Sequence, residues 1–219
     1  MQLRRNKKSK APLIITLLFA TGLICFGAWG AWQWWQATHN PNPTILNRTI
    51  THSTNEPDET KPHCDDSYQV PANQPRKIEI PNLKKSGCIQ RVGIDQNKAM
   101  AVPTNIHVAG WYVNSAVPGE QGVSVIDGHV SGRYEQNAIF ANIKDLQKGD
   151  VIKVQLGNKS WREFSVVSVD SYSVEQTAKE QMKQLDGVER QLTLITCGGN
   201  FDTNSQQYDE RVVVRAEAL

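Results

Sequence analysis

The chain has 219 residues, 39% of them hydrophobic and 21% charged, which excludes a wholly disordered chain and a polytopic membrane protein and leaves room for one domain with accessory segments. Its formal charge of +2 hides an asymmetry: Arg4, Arg5, Lys7, Lys8 and Lys10 stand in an acid-free first ten residues, and the remainder carries 19 basic against 22 acidic residues, or −3. A slightly acidic body argues against nucleic acid as the main partner, because phosphate binding needs a concentrated basic surface.

Residues 1–10 read as a basic cytoplasmic N-terminus and 11–35 as a transmembrane signal-anchor helix. Pro12 to Trp35 carries no formal charge, and about 20 apolar residues in a helix span the hydrocarbon core. Trp29, Trp32, Trp34 and Trp35 crowd its far end, where amphipathic rings favour the interface, and the positive-inside rule keeps the basic end cytoplasmic. The expected localisation is the plasma membrane, crossed once, with the body outside. A cleaved signal peptide is the alternative, since Ala28 and Gly30 are small enough for a cleavage site, and it exports the body equally.

Residues 36–75 hold six of the ten prolines and only eight hydrophobic residues. Such a segment buries too little surface to offset its ordering entropy, so it reads as an extended extracellular stalk. The body, 76–219, reads mainly as short strands: 76–80, 88–94, 122–127, 150–156, 161–169, 191–197 and 211–217 are β-rich runs between turn residues. About eight strands at irregular spacing suggest a barrel or a sandwich. Ser173 to Leu185 departs from this, with a Ser cap, Gln176 three residues later and Gly187 beyond the end. A second helical turn is expected near Ala138 to Leu146.

Four cysteines divide by context. Cys25 lies in the apolar span and acts there as a small hydrophobe. Cys64 and Cys88 are the exported pair left once Cys197 is set aside, bonded or not according to the redox habits of the cell. His63-Cys64-Asp65-Asp66 with Cys88 lacks paired zinc spacings, so no metal and no cofactor is expected. Cys197 ends the alternating run Leu192-Thr193-Leu194-Ile195-Thr196-Cys197 and is followed by Gly198-Gly199, an arrangement that lets a substrate backbone approach the thiol. A nucleophilic thiol needs a proton partner and a cation. The body offers His107 and His129, with His52 and His63 in the segment before it; His129 sits at a strand end between Gly128 and Gly132.

Thr193-Leu194-Ile195-Thr196-Cys197, the upstream Gly128-His129, and Arg211 opening Val212-Val213-Val214 resemble the sortase signature. Ile78-Glu79-Ile80-Pro81 resembles that family's opening strand. Val102-Pro103, Gly110-Trp111-Tyr112, Pro118-Gly119-Glu120-Gln121-Gly122 and Cys197-Gly198-Gly199-Asn200-Phe201-Asp202 look most like its class F branch, with class E next. The resemblance implies an all-β fold, a closed eight-stranded sortase-like barrel with one or two short helices after a single N-terminal transmembrane helix. It implies a cysteine transpeptidase that cleaves a Leu-Pro-x-Thr-Gly-like sorting signal at Thr–Gly and transfers the exported protein to an amine acceptor, either a peptidoglycan precursor or a protein lysine. A monomer is expected.

Carried over by position, Cys197 matches the nucleophile, His129 the general acid/base and Arg211 the substrate-positioning, oxyanion-stabilising cation. Arg215, four residues on, is a rival cation on the same strand face. Thr196 and Gly198 are expected to line the substrate, and Asp127 joins them on the face of His129, where it either reaches the imidazole and raises its pKa or stays a solvated edge carboxylate. The other readings are a Cys-His hydrolase that releases product to water and an inactive surface-display module, which the complete His, Cys and Arg set argues against.

Overall fold

The computed structural model describes Ala31, residues 48–54 and residues 56–219. The basic N-terminus and, Ala31 apart, the expected membrane span lie outside these residues; among the described residues no helix is long and apolar enough to cross a membrane. Eight strands, β1 (Pro75–Ile80), β2 (Lys85–Val92), β3 (Ala109–Tyr112), β4 (Gly122–Asp127), β5 (Val151–Leu156), β6 (Trp161–Ser173), β7 (Arg190–Asp202) and β8 (Gln207–Ala218), close into a barrel in the order β1-β2-β3-β4-β7-β8-β6-β5. The β2/β3 and β4/β7 pairs are parallel and the other six antiparallel. Closure leaves no unpaired edge, which decides for the barrel over the sandwich.

Alternation along each strand sorts side chains between the barrel interior and its outside. Ile152, Val154, Leu192, Leu194, Val212 and Val214 are in the interior core with Phe140 and Phe164. Their neighbours Ile195, Cys197, Arg211 and Arg215 therefore project outward. Part of that outer face is covered: Val123, Val125 and Ile195 pack with Met100 and Tyr112, and Ile50, Val92 and Ala101 form a third cluster.

Several elements depart from the sequence expectation for physical reasons. The four-residue β3 lies outside the strands expected from sequence; it is held by backbone pairing to β2 on one side and β4 on the other. The expected helix starts at Ser173, whose side chain accepts from the Gln176 N–H in a reciprocal capping box, but α1 covers only Val174–Glu180. Buried Gln191 stops its continuation: its amide accepts from Leu185 N–H at 2.8 Å and donates to Lys183 O at 2.9 Å. Residues 143–145 form one 3-10 turn of the second expected helix. β7 runs through Gly198-Gly199 to Asp202 instead of ending at Cys197, because Gly199 takes φ +77° and the β7/β8 register shifts between Gly198 and Phe201. Bulges of this kind bend strands beside functional sites.

The described part of the segment read as a stalk is laid on the barrel. Ile50 exchanges backbone hydrogen bonds with the end of β2, its N–H donating to Arg91 O at 2.9 Å and its carbonyl accepting from Gly93 N–H at 2.7 Å. Buried Tyr68 donates its hydroxyl to Ile89 O at 2.6 Å. Arg76, only 4% exposed, donates to the Tyr68 and Asp65 carbonyls and to Gln155 Oε1. Cys64 and Cys88 are joined by a disulfide across 24 positions. What this segment lacks in apolar residues is supplied by backbone pairing and a covalent bond. A loop of that length closed by a disulfide contributes about 3.5 kcal/mol by the chain-entropy estimate. The Cys64→Ser/Cys88→Ser pair is therefore expected to lower the free energy of unfolding by about 2–4 kcal/mol in denaturant titration; an unchanged midpoint would show that the bond constrains nothing.

Candidate active site

The site is built by register. In the antiparallel β7/β8 pair, Cys197 and Arg211 are direct cross-strand partners, which sets their Cβ atoms about 4.5–5.5 Å apart on one face. In the parallel β4/β7 pair, Asp127 is aligned with Ile195. Gly128 N–H continues the ladder by donating to Ile195 O at 3.1 Å, and the Thr196 hydroxyl donates to Gly128 O at 2.7 Å. Continued one step past these bonds, beyond the end of β4, the same alignment puts His129 level with Cys197. Cys197 thus stands opposite Arg211 on β8, while the chain that leads into His129 is bonded to β7 on its other side.

Each of the three is partly buried. His129 Nε2 is 2.7 Å from the Pro103 carbonyl. A carbonyl oxygen only accepts, so Nε2 carries the hydrogen and the neutral ring keeps its lone pair on Nδ1. Burial pulls the imidazole pKa below its ordinary 6.5, opposed by that carbonyl, which favours the protonated ring. Burial likewise pushes the Cys197 thiol above its ordinary 9.0, with Arg211 pulling it down and Asp127 pushing it up. Both groups rest uncharged near neutral pH. Among the described residues Arg211 makes no ion pair; its Nη1 donates to the Tyr208 and Glu210 carbonyls at 3.0 and 2.8 Å. Its charge favours the Cys197 thiolate.

Arg215 is placed differently. Only 2% exposed, it pairs with Asp170 at 3.0 Å and Glu180 at 2.9 Å, and its guanidinium stands 5.4 Å from the Tyr172 ring centre. That network fastens α1 to β6 and β8 and occupies the rival cation. Asp127 follows neither sequence expectation. It is 5% exposed, with Oδ1 lacking a hydrogen-bond partner, so it is no solvated edge carboxylate, and no hydrogen bond joins it to His129. Burial drives its pKa well above the ordinary carboxylate value, and its ionised form opposes Arg211 at the thiol. Thr196 is buried, and its hydroxyl ties the two strands together. Gly198 is half-exposed next to Cys197.

Other candidates fall elsewhere. His107 is turned to the Glu59 carbonyl at 3.1 Å, and Cys64 is in the disulfide, leaving Cys197 the free thiol among the described residues. No group of three metal-ligating side chains occurs among the described residues. The sequence does not mark the Pro103 carbonyl as the ring partner of His129, although Val102-Pro103 is among the residues that carry the resemblance. Nor does it mark the 3.1 Å hydrogen bond between Ser131 and Tyr208, which ties the loop after His129 to the β7/β8 hairpin; a Ser two residues from the His is its only trace.

A family model described as Sortase domain matches residues 78–219. Among solved structures, a SrtA sortase from Actinomyces oris is 27% identical, over 69% of this chain and 83% of that one, with a TM-score of 0.50. A Clostridium perfringens sortase D5 transpeptidase is 25% identical over 67% and 79%, also at 0.50. The lid mutant of sortase A from Corynebacterium diphtheriae, 24% identical over 66% and 69% at 0.51, adds likeness of fold. Comparison with curated proteins gives no match. The chain belongs to the sortase family and is a cysteine transpeptidase of the sortase type.

Proposed function

We propose that Cys197, His129 and Arg211 carry out the transpeptidation, with a Leu-Pro-x-Thr-Gly-like sorting signal as donor and a primary amine as acceptor. The observation that supports this reading is the register of β4, β7 and β8, which pairs Cys197 with Arg211 and bonds Gly128, the residue before His129, to β7. Proton transfer from the Cys197 thiol to His129 Nδ1 produces thiolate and imidazolium. Because burial opposes both charges, this pair is a minority of the resting enzyme, and Arg211 is the group that favours it.

The thiolate attacks the Thr carbonyl carbon, forming the S–C bond, and Arg211 stabilises the oxyanion. Collapse breaks the C–N bond to Gly as imidazolium His129 gives its proton to the leaving amine, which leaves a thioacyl enzyme. The incoming amine loses a proton to neutral His129, its nitrogen bonds to the acyl carbon, and the thiolate departs. Arginine suits the cation site because its charge persists at any working pH and its planar fork can bridge carbonyl oxygens.

The chain is assigned to the plasma membrane, held by the apolar segment 11–35 with its basic end cytoplasmic and the barrel outside. Its partners are exported proteins bearing the sorting signal, and a peptidoglycan precursor or protein lysine as acceptor. The motifs around Pro118–Gly122 and Cys197–Asp202 favour class F over class E.

Two outcomes test the reading. Mixing the protein with a fluorescent Leu-Pro-x-Thr-Gly peptide and triglycine should yield a ligated product that is absent with Cys197→Ala and about 10²–10³-fold slower with Arg211→Lys. Cleavage without ligation would favour the hydrolase, and wild-type rates in Arg211→Lys would remove that residue from the mechanism. The alkylation rate of Cys197 should rise with pH through a midpoint above 9.0, and further up in Arg211→Ala, where the stabilising charge is gone. A midpoint below 9.0, or one that Arg211→Ala leaves in place, would contradict the electrostatics.

A further inference from the structure

We propose that residues 56–64 form a strap that positions His129 from two sides, and that Glu59 is its positioning residue. The proposal rests on His129 being the acid/base. Glu59 belongs to the segment read from sequence as a stalk, yet its carboxylate reaches the loop that leaves β4 through His129. Oε1 accepts from the backbone N–H of Arg133 at 2.5 Å and of Tyr134 at 3.0 Å, and Oε2 from that of Glu135 at 3.0 Å. Hydrogen bonds to an ionised acceptor are roughly twice as strong as neutral ones. Gly132 permits the approach, since a Cβ there would collide with the Glu59 carboxylate. Side chains 133–137 are all exposed, so this loop has no core contact of its own, and the Glu59 carboxylate does what packing would do elsewhere.

The second side is the ring. His129 Nε2–H is held by Pro103 O, and the residues that follow Pro103 are fixed by the same strap. Asp58 N–H donates to Thr104 O at 2.8 Å and Asp58 O accepts from Ile106 N–H at 3.0 Å. Asn105 Nδ2 donates to Thr60 O at 2.8 Å, and His107 Nε2 contacts Glu59 O at 3.1 Å. One short segment, tied to β2 through Cys64–Cys88, therefore holds both the backbone that leaves His129 and the carbonyl that orients its ring. Glu56 serves as the contrast. Its ion pair with Arg133, at 3.3 Å between side chains 80% and 68% exposed, is of the kind that contributes little.

The test uses the full-length chain with the Leu-Pro-x-Thr-Gly peptide and triglycine, and reads kcat, KM and amide hydrogen exchange over residues 129–137. Glu59→Ala should speed exchange at residues 133–135 and lower kcat about 10–100-fold, the scale of a small misplacement of a reacting group, with KM within about twofold. Glu59→Gln, which keeps one acceptor oxygen for Arg133 and Tyr134, should recover most of both, and Glu56→Ala should match wild type. Unchanged exchange in Glu59→Ala, or faster exchange with unchanged kcat, overturns the proposal, as does an equal loss in Glu59→Gln and Glu59→Ala. Full ligation by His129→Ala would instead remove the acid/base reading, a failure seen without any Glu59 variant.

Discussion

The alignment of β4, β7 and β8 is the constraint on which the site depends. The β4/β7 pair is parallel and the β7/β8 pair antiparallel, so His129, Cys197 and Arg211 can meet only in one register. A slip by one residue would turn a strand's side chains to the opposite face, and would take Cys197 into the interior together with Leu192 and Leu194 out of it. The apolar alternation that fills the core is thus the same pattern that aims the thiol outward. The Thr196 hydroxyl, bonded to Gly128 O, fastens the two chains one residue before His129 and one before Cys197.

The electrostatics follow from where these residues lie. Each of the three side chains is partly withdrawn from water, so the neutral forms of Cys197 and His129 are favoured and the charged pair must be drawn out by Arg211. Arg215 shows how a second cation on the same strand is kept out of the chemistry: two carboxylates and an aromatic ring absorb it, and α1 is docked in the process. Two arginines four residues apart therefore take different parts, one in the site and one in the fold. Burial holds the Asp127 pKa well above the ordinary carboxylate value, and its ionised form acts on Cys197 against Arg211.

Much of this was legible in the sequence because it rests on short-range pattern. β4 falls on the expected 122–127, and the strands holding Cys197 and Arg211 follow apolar alternation that survives in any context. What was not legible depends on contacts between distant residues. Gln191, below the end of α1, shortens a helix whose own sequence favours continuing, and the Gly198-Gly199 pair bends β7 where local propensity would end it. The segment before β1 looked unable to order itself, and alone it buries little; the disulfide, Tyr68 and Arg76 attach it to a surface its composition does not reveal. Glu59 contacts backbone 74 to 76 residues away, and no local signal marks such a contact.

The most direct measurement of the central claim is mass spectrometry of the intact protein and its Cys197 peptide, quenched in acid shortly after mixing with a Leu-Pro-x-Thr-Gly substrate and no amine. The account predicts an adduct of the acyl fragment ending in Thr, borne on Cys197, that disappears into ligated product when triglycine is added before the quench. Turnover of the substrate with no adduct on Cys197, or an adduct that triglycine does not discharge, would contradict it.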